Sequence, residues 1–235
     1  MLLDLLPRLV AEERPRLVVD LGSGTGLSTR FWTENADEVF GVEPNAEMRR
    51  WAEELTDAQN ACYLDASSYE TGLPDACADL VTAAQSLQWM EPEPTFREIA
   101  RILRPCGVFC AYEYFALQTP LWEPEAAYEA LRAKVAELRR ERDLDRGKPL
   151  WPVTRERLEQ SGAFGVVREL AAHSLEEGDG ERLVGFALSE GSLTTLLEAG
   201  VSEDQVGLDR LREVAARITQ PIPWWISYRV WIGLR

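Results

Sequence analysis

The 235-residue sequence predicts an α/β fold, a doubly wound and mostly parallel seven-stranded sheet with helical cap insertions. Three observations predict it: short uninterrupted apolar runs alternate with segments of helical periodicity, the first run leads into a glycine-rich turn, and the connections are short. Strands buried on both faces read as continuous apolar runs, and right-handed crossovers place helices on both sides of such a sheet.

Leu17 to Leu21 is the first run, and Val39 to Val42 repeats the pattern. After Pro44 and Asn45, the residues Met48, Trp51, Ala52 and Leu55 recur at helical spacing, giving one face to pack on the sheet. Cys62 to Leu64 and Asp79 to Ala83 supply further strands, and Phe96, Ile99, Ala100 and Leu103 mark a helix stopped by Pro105 and Gly107. Val108 to Tyr114 reads as the fifth strand. Tyr128, Leu131, Val135 and Leu138 describe a long helix, and Thr154 to Gln160 a shorter one before a sixth strand over Phe164 to Leu170. Gly180 to Thr219 is helical, with Leu211, Val214, Ala215 and Ile218 on one face, before Trp224 to Leu234 resumes a strand pattern. The expected organisation is one domain: a core over 1–115, a helical insertion and core helix over 116–163, and the last two strands over 164–235 with a helical insertion at 180–219. Glu176 to Glu181 is the only linker-like stretch.

Forty acidic against 25 basic residues give a net charge of −15, which opposes a polyanionic partner. The basic stretch Arg132 to Arg146 is interleaved with Glu129, Glu137, Glu141, Asp143 and Asp145 and reads as a solvated helix face, so no nucleic-acid partner is expected. No run is long enough for a membrane span, and Met1 to Val10 carries Asp4, Pro7 and Arg8 in place of a signal-peptide pattern; a cytoplasmic location is the expectation, with no membrane partner. Cys62, Cys77, Cys106 and Cys110 lack the paired spacing of a metal or redox site and are expected to be buried thiols. No metal is expected, and nothing in the sequence indicates an oligomeric state.

The most informative segment is Asp20-Leu21-Gly22-Ser23-Gly24-Thr25-Gly26, a strand end followed by glycine at every second position. Glycines let a ligand approach the backbone, and a helix starting after Gly26 aims free N–H groups at an anionic group. A dinucleotide fold wants a third glycine where this chain has Leu27, which favours a smaller ligand than NAD. Asp20 either accepts from an ammonium, directly or through water, or caps the turn. Glu43 ends the second strand at the spacing where an acid accepts from both hydroxyls of a ribose; the alternative is an exposed strand-end acid. Together, loop and acid narrow the alternatives to folds that bind an adenosine-containing ligand.

These residues resemble the class I S-adenosylmethionine-dependent methyltransferase family, in its small-molecule type. Val18 to Gly26 is similar to the family's first motif and Glu43 to the acid of its second; Glu70 to Trp89 and Arg101 to Val108 resemble later elements, so the likeness covers roughly residues 17 to 115. Trp225 to Arg229 is a weaker match. The resemblance implies a Rossmann-like fold with S-adenosylmethionine as cofactor. It places Asp20, Gly22 and Gly24 at the methionine part, Glu43 at the ribose and Asp65, Ser67 and Ser68 near the adenine, with Ser23, Thr25, Gly26, Pro44 and Met48 also among the cofactor-binding residues. Gln85 and Ser86 fall beside the methyl group, and Gln88 and Trp89 on the acceptor side. The sequence departs from the family's pattern at Gln88, where many similar enzymes carry histidine, and at Cys106, which replaces a glycine. The short segment Met1 to Arg16 implies that any N-terminal covering helices are abbreviated.

Methyl transfer from a sulfonium is an in-line displacement that depends mainly on positioning and a dry pocket. For a hydroxyl acceptor a base would help. The candidates are Glu113 and Tyr114, read as the end of the fifth strand and as substrate-site residues, and His173, which as a lone histidine is more often structural. Trp89, Trp122, Trp151, Trp224 and Trp225 either line an apolar acceptor pocket or fill a core. The helices around Tyr128 and Leu211 would form a lid. The expected function is methylation of a small-molecule acceptor; the alternatives are a cofactor-binding regulatory protein without turnover and, opposed by Leu27, a nicotinamide-dependent oxidoreductase.

Overall fold

The computed structural model describes residues 6, 8–10, 14–144 and 151–235. Most of the expected N-terminal covering segment, and Asp145 and Arg146 of the basic stretch, lie outside the described residues.

The strands β1 (Leu17–Leu21), β2 (Glu38–Val42), β3 (Ala61–Leu64), β4 (Ala78–Ala84), β5 (Leu103–Gln118), β6 (Val166–Gly178) and β7 (Ile222–Leu234) form one sheet in the order β3-β2-β1-β4-β5-β7-β6. The first five pair in parallel. Arg235 N donates to Gly107 O and Cys106 N to Arg235 O, so the end of β7 lies at the start of β5 and the two run in opposite directions. The helices between the parallel strands are α1 (Leu27–Thr33), α2 (Ala46–Glu54) and α3 (Pro92–Ile102). The expected fold class is borne out: β1 is buried along its whole length, the mark of a strand covered on both faces.

The chain divides into two compact units. The first comprises Met1–Glu113, Leu150–Ala172 and Arg229–Arg235, and includes the helix α5 (Arg155–Gln160). Its core carries a stacked pair, Phe109 and Phe164, with ring centroids 5.3 Å apart, and Phe96 meets both rings edge-on. At the strand starts, the buried Asp79 accepts from the backbone N–H of Arg16 and Leu17 and pairs with Arg104. Charge burial there is balanced by donors on three sides.

The second unit, Tyr114–Pro149 and His173–Tyr228, is built from α4 (Trp122–Glu141), α6 (Gly180–Leu188), α7 (Gly191–Glu198), α8 (Glu203–Val206) and α9 (Leu208–Ala215). Tyr128, Leu131 and Val135 of α4 pack with Leu183, Leu196 and Leu211 of the other helices, as their helical spacing requires. The helices expected to form a lid are thus the core of this unit. Gly180 opens α6 against the backbone of Ala215, an approach that leaves no room for a Cβ.

Several sequence expectations are corrected. The fifth strand starts at Leu103, through Pro105, and continues to Gln118, so Glu113 and Tyr114 stand within it, not at its end. The sixth runs to Gly178, absorbing half of the stretch read as a linker; Asp179 then caps α6 by accepting from Arg182 N. Of the cysteines only Cys110 is buried, Cys62 and Cys106 being exposed. Trp224 fills the core of the second unit and lines no surface pocket, and Trp122 is exposed. Among the described residues no helix is long and apolar enough to cross a membrane.

Candidate functional site

The parallel register brings three strand ends together: Leu21 pairs with Val42 and Val42 with Leu64. The residues that follow, Gly22, Glu43 and Asp65, stand side by side at the carboxyl edge of the sheet, where ligands of doubly wound folds gather. Gly22 N and Ser23 N both donate to Val42 O, at 2.8 and 3.2 Å, and bind the glycine loop to β2. Gly22 and Gly26 take left-handed φ of 66° and 78°, and a Cβ on either would collide, with Ser86 and Tyr63 respectively. Gly24 stands at the open tip, where a Cβ would meet nothing. Thr25 is exposed beside it, and the Ser23 hydroxyl is buried without a hydrogen-bond partner among the described residues.

Glu43 closes the loop. Its Oε2 accepts from Gly24 N at 3.0 Å and its Oε1 from Asn45 N at 2.9 Å. Pro44 and Met48 lie exposed next to it on the entry to α2, which Asn45 caps by accepting from Glu47 N and Met48 N. Arg49 was not legible as a site residue. Its guanidinium donates to Glu43 O at 2.6 Å and pairs with Asp65 at 2.8 Å, tying the ends of β2 and β3 together, and its side chain is only 13% exposed against 74% for Asp65. Tyr63 was also missed: its ring packs under Gly26 and Gly41, and its hydroxyl shares a hydrogen bond with Thr56 at 2.8 Å. The neighbouring glycine at 41, a residue with nothing to pack, was the available signal for it.

Asp20 is placed differently from its expected position facing a ligand. It is fully buried and accepts from Thr29 at 2.8 Å, Thr82 at 2.9 Å and Ser28 at 3.3 Å, so three hydroxyls enclose its carboxylate beneath the loop. Burial pushes its pKa up to about 6 despite those hydrogen bonds, which pull it down. Ser28 also shares a hydrogen bond with Tyr112 of β5 at 2.9 Å, extending the network across the sheet.

Gln85 follows β4 with φ of +57°, held by its N–H to Tyr112 O at 2.9 Å, and its Nε2 is buried without an acceptor among the described residues. Ser86 donates to Leu21 O at 2.7 Å, so the two turns after β1 and β4 are joined. Gln88 donates its side-chain amide to Gln85 O at 3.0 Å, and Trp89 is 58% exposed. Ser67 sits in a single bridge with Glu70, and the buried Ser68 shares a hydrogen bond with Thr95 of α3 at 2.8 Å, turned toward that helix instead of a ligand.

The remaining candidates fall in different units. Glu113 belongs to the first unit, and burial raises its pKa against the pull of Arg229. Tyr114 belongs to the second, where its ring meets Phe186 and burial raises its phenol. His173, also in the second, has the partner that the sequence did not reveal: Nδ1 lies 2.8 Å from the Ser227 hydroxyl.

A parallel sheet with a glycine loop and an acid joined at adjacent strand ends is the arrangement at which doubly wound α/β proteins take ligands. Residues 19–111 match the family described as a methyltransferase domain. Among similar proteins, a malonyl-[acyl-carrier protein] O-methyltransferase of Pectobacterium atrosepticum is 34% identical over 92 residues, 39% of this chain and 36% of that protein. An uncharacterised methyltransferase of Mycobacterium bovis is 36% identical over 92 residues, 39% of this chain and 37% of that protein. The matches thus span little more than a third of these relatives. A type II methyltransferase structure from Anaeromyxobacter dehalogenans shares the fold, with a TM-score of 0.73 at 21% identity over 99% of this chain and 94% of that one.

Proposed function

We propose that the protein transfers a methyl group from S-adenosylmethionine to a small-molecule acceptor. The observation that carries this reading is the hydrogen bond from Gly24 N to the Glu43 carboxylate, which sets an anion-accepting loop beside an acid able to accept from a sugar diol. The residues fit that cofactor: the loop tip is open at Gly24, and the buried Ser23 hydroxyl lacks a partner among the described residues. In this reading Gly22, Ser23, Gly24, Thr25 and Gly26 hold the aminoacyl end, Glu43 with Pro44 and Met48 the ribose, and Asp65 the adenine side. Asp20 holds the loop from beneath.

When bound, S-adenosylmethionine supplies a methyl group on a sulfonium, a carbon already activated for in-line displacement. The chain's contribution is then positioning. Gln85 and Ser86 are fixed by Tyr112 O and Leu21 O at the strand end beside the glycine loop. The likeness to a malonyl-[acyl-carrier protein] O-methyltransferase favours oxygen as the atom methylated. For such an acceptor Glu113 is the candidate base, because burial moves its carboxyl toward the range where a base works best. The net charge of −15 favours a neutral or apolar acceptor over a polyanion. One observation favours the second reading, cofactor binding without turnover: Gln88 is engaged by Gln85 O and offers no titrating group where similar enzymes carry histidine.

Calorimetric titration with S-adenosylmethionine, S-adenosylhomocysteine and NAD is the test. Saturable binding of the first two and none of NAD is expected; no binding of S-adenosylhomocysteine would refute the assignment. Mass-spectrometric detection of methylated products across an acceptor panel then separates turnover from binding alone.

A further inference from the structure

A groove lies between α3 and α5 of the first unit, on residues that the methyl-transfer reading does not use. It is open, encloses about 580 Å³, and is bordered by Arg97 on one wall and by Trp151 and Arg157 on the other. A tight apolar slot of about 10 Å³ adjoins it, too small for more than a water, lined by Leu87, Met90, Val153 and Leu158, with Phe96, Trp151 and Arg157 shared between slot and groove.

Three features of the groove point to one ligand chemistry. The Arg157 guanidinium lies over the Trp151 ring, 5.6 Å from its centroid, which holds the planar group flat at the junction of slot and groove. Its Nη1 is buried without a hydrogen-bond acceptor among the described residues, so the protein itself does not satisfy the guanidinium. Neither Arg157 nor Arg97 has a carboxylate partner among the described residues, in a chain with 40 acids and 25 bases. Glu91 and Glu93 also border the groove; like Arg97 they are exposed, where water screens their charge, which leaves the partly buried Arg157 as the least screened charge there.

We propose that this groove binds a small amphipathic carboxylic acid, its carboxylate on Arg157 with Arg97 nearby and its aliphatic or aromatic body within the groove along Trp151 and Phe96. A guanidinium presents parallel N–H groups that a carboxylate matches in a fork, whereas a neutral alcohol leaves the charge unpaired. Contact with Trp151 and Phe96 rewards an apolar body, which a bare anion lacks. The Trp151 backbone donates to Gln88 O at 2.8 Å, so the aromatic wall is anchored to the turn that follows β4.

The test is calorimetry on the full chain with octanoate, octan-1-ol and inorganic phosphate as probes. Octanoate is expected to bind saturably with one site, at least about tenfold tighter than either of the others. Arg157→Ala and Trp151→Ala should each weaken octanoate at least about tenfold while S-adenosylhomocysteine binding stays unchanged. If Arg157→Ala does not fold by circular dichroism, Arg157→Lys and Arg97→Ala take its place, each expected to weaken octanoate about threefold or more. Equal affinity for octanoate and octanol, equal affinity for octanoate and phosphate, no saturable octanoate binding, or unaltered binding in these variants would each overturn the proposal. Parallel loss of S-adenosylhomocysteine binding in a folded variant would overturn it too, because the groove would then not be separate from the cofactor site.

Discussion

Gly24 gives its backbone N–H to the Glu43 carboxylate at 3.0 Å, so the loop leaving β1 and the acid ending β2 form one hydrogen-bonded piece. Removing the acid therefore removes a ligand group and loosens the loop. Glu43→Ala should weaken S-adenosylhomocysteine binding about 10- to 100-fold, the equivalent of one or two charge-assisted hydrogen bonds. Glu43→Gln should fall between, since its amide keeps one acceptor. Calorimetry decides, and an unaltered affinity in Glu43→Ala would remove the acid from the site.

Gly26 caps α1 with φ of 78°, and the Tyr63 side chain occupies the space a Cβ would need. Gly26→Ala should cost about 1–3 kcal/mol in urea unfolding, from backbone strain and overpacking together. Tyr63→Phe removes the hydroxyl in the way, so the double variant should be more stable than the sum of the single effects predicts. Strict additivity would mean that Tyr63 does not press on the loop.

Asp20 makes the stability of the fold depend on pH in a direction opposite to that of an ion-paired acid. Its folded pKa is raised from 3.8 to about 6, so between those values the folded state holds a proton that the unfolded state has released. Its contribution is therefore present below about pH 4 and is lost as pH rises through 6, a change of about 3 kcal/mol. Asp20→Asn should flatten the dependence of Tm on pH in this window, read by scanning calorimetry. Glu98 works the other way: against the upward push of burial, hydrogen bonds from Arg101 and Thr71 bring its pKa to about 2. Its contribution is lost only as pH falls from about 4.5 toward 2, so above pH 4.5 the Asp20 effect is read without it.

The strands that carry the site were legible because burial on both faces writes itself as an apolar run. Val18, Val19 and Leu21 of β1 and Val39 and Val42 of β2 are all buried. The sixth strand was cut short for the opposite reason. It stands at the edge of the sheet, and Arg168, Glu169, His173, Glu176 and Glu177 interrupt any apolar pattern while the backbone still pairs with β7. Glycine loop and acid were legible from residue type, because few residues tolerate left-handed φ. Arg49 was not, since in a helix rich in charge it reads as one more solvated cation, and only the tertiary fold shows it inside the turn between Glu43 and Asp65. The hydroxyl cage of Asp20 escaped for the same reason: Ser28, Thr29 and Thr82 converge from two elements that spacing alone does not relate.

His173 shows how far a hydrogen-bond chain can specify a tautomer. Ser227 donates its hydroxyl to Gln118 Oε1 at 2.7 Å, and its oxygen lies 2.8 Å from His173 Nδ1. With its one proton given to Gln118, the hydroxyl can only accept from the ring, so neutral His173 carries its proton on Nδ1 and leaves Nε2 as the acceptor. Nitrogen-15 imidazole shifts should show that tautomer in the unmodified protein, and a mixture in Ser227→Ala, which lacks the accepting oxygen. An Nε2–H tautomer in the unmodified protein would reverse the direction of the chain. The ring is exposed, and its free acceptor faces away from Ser227.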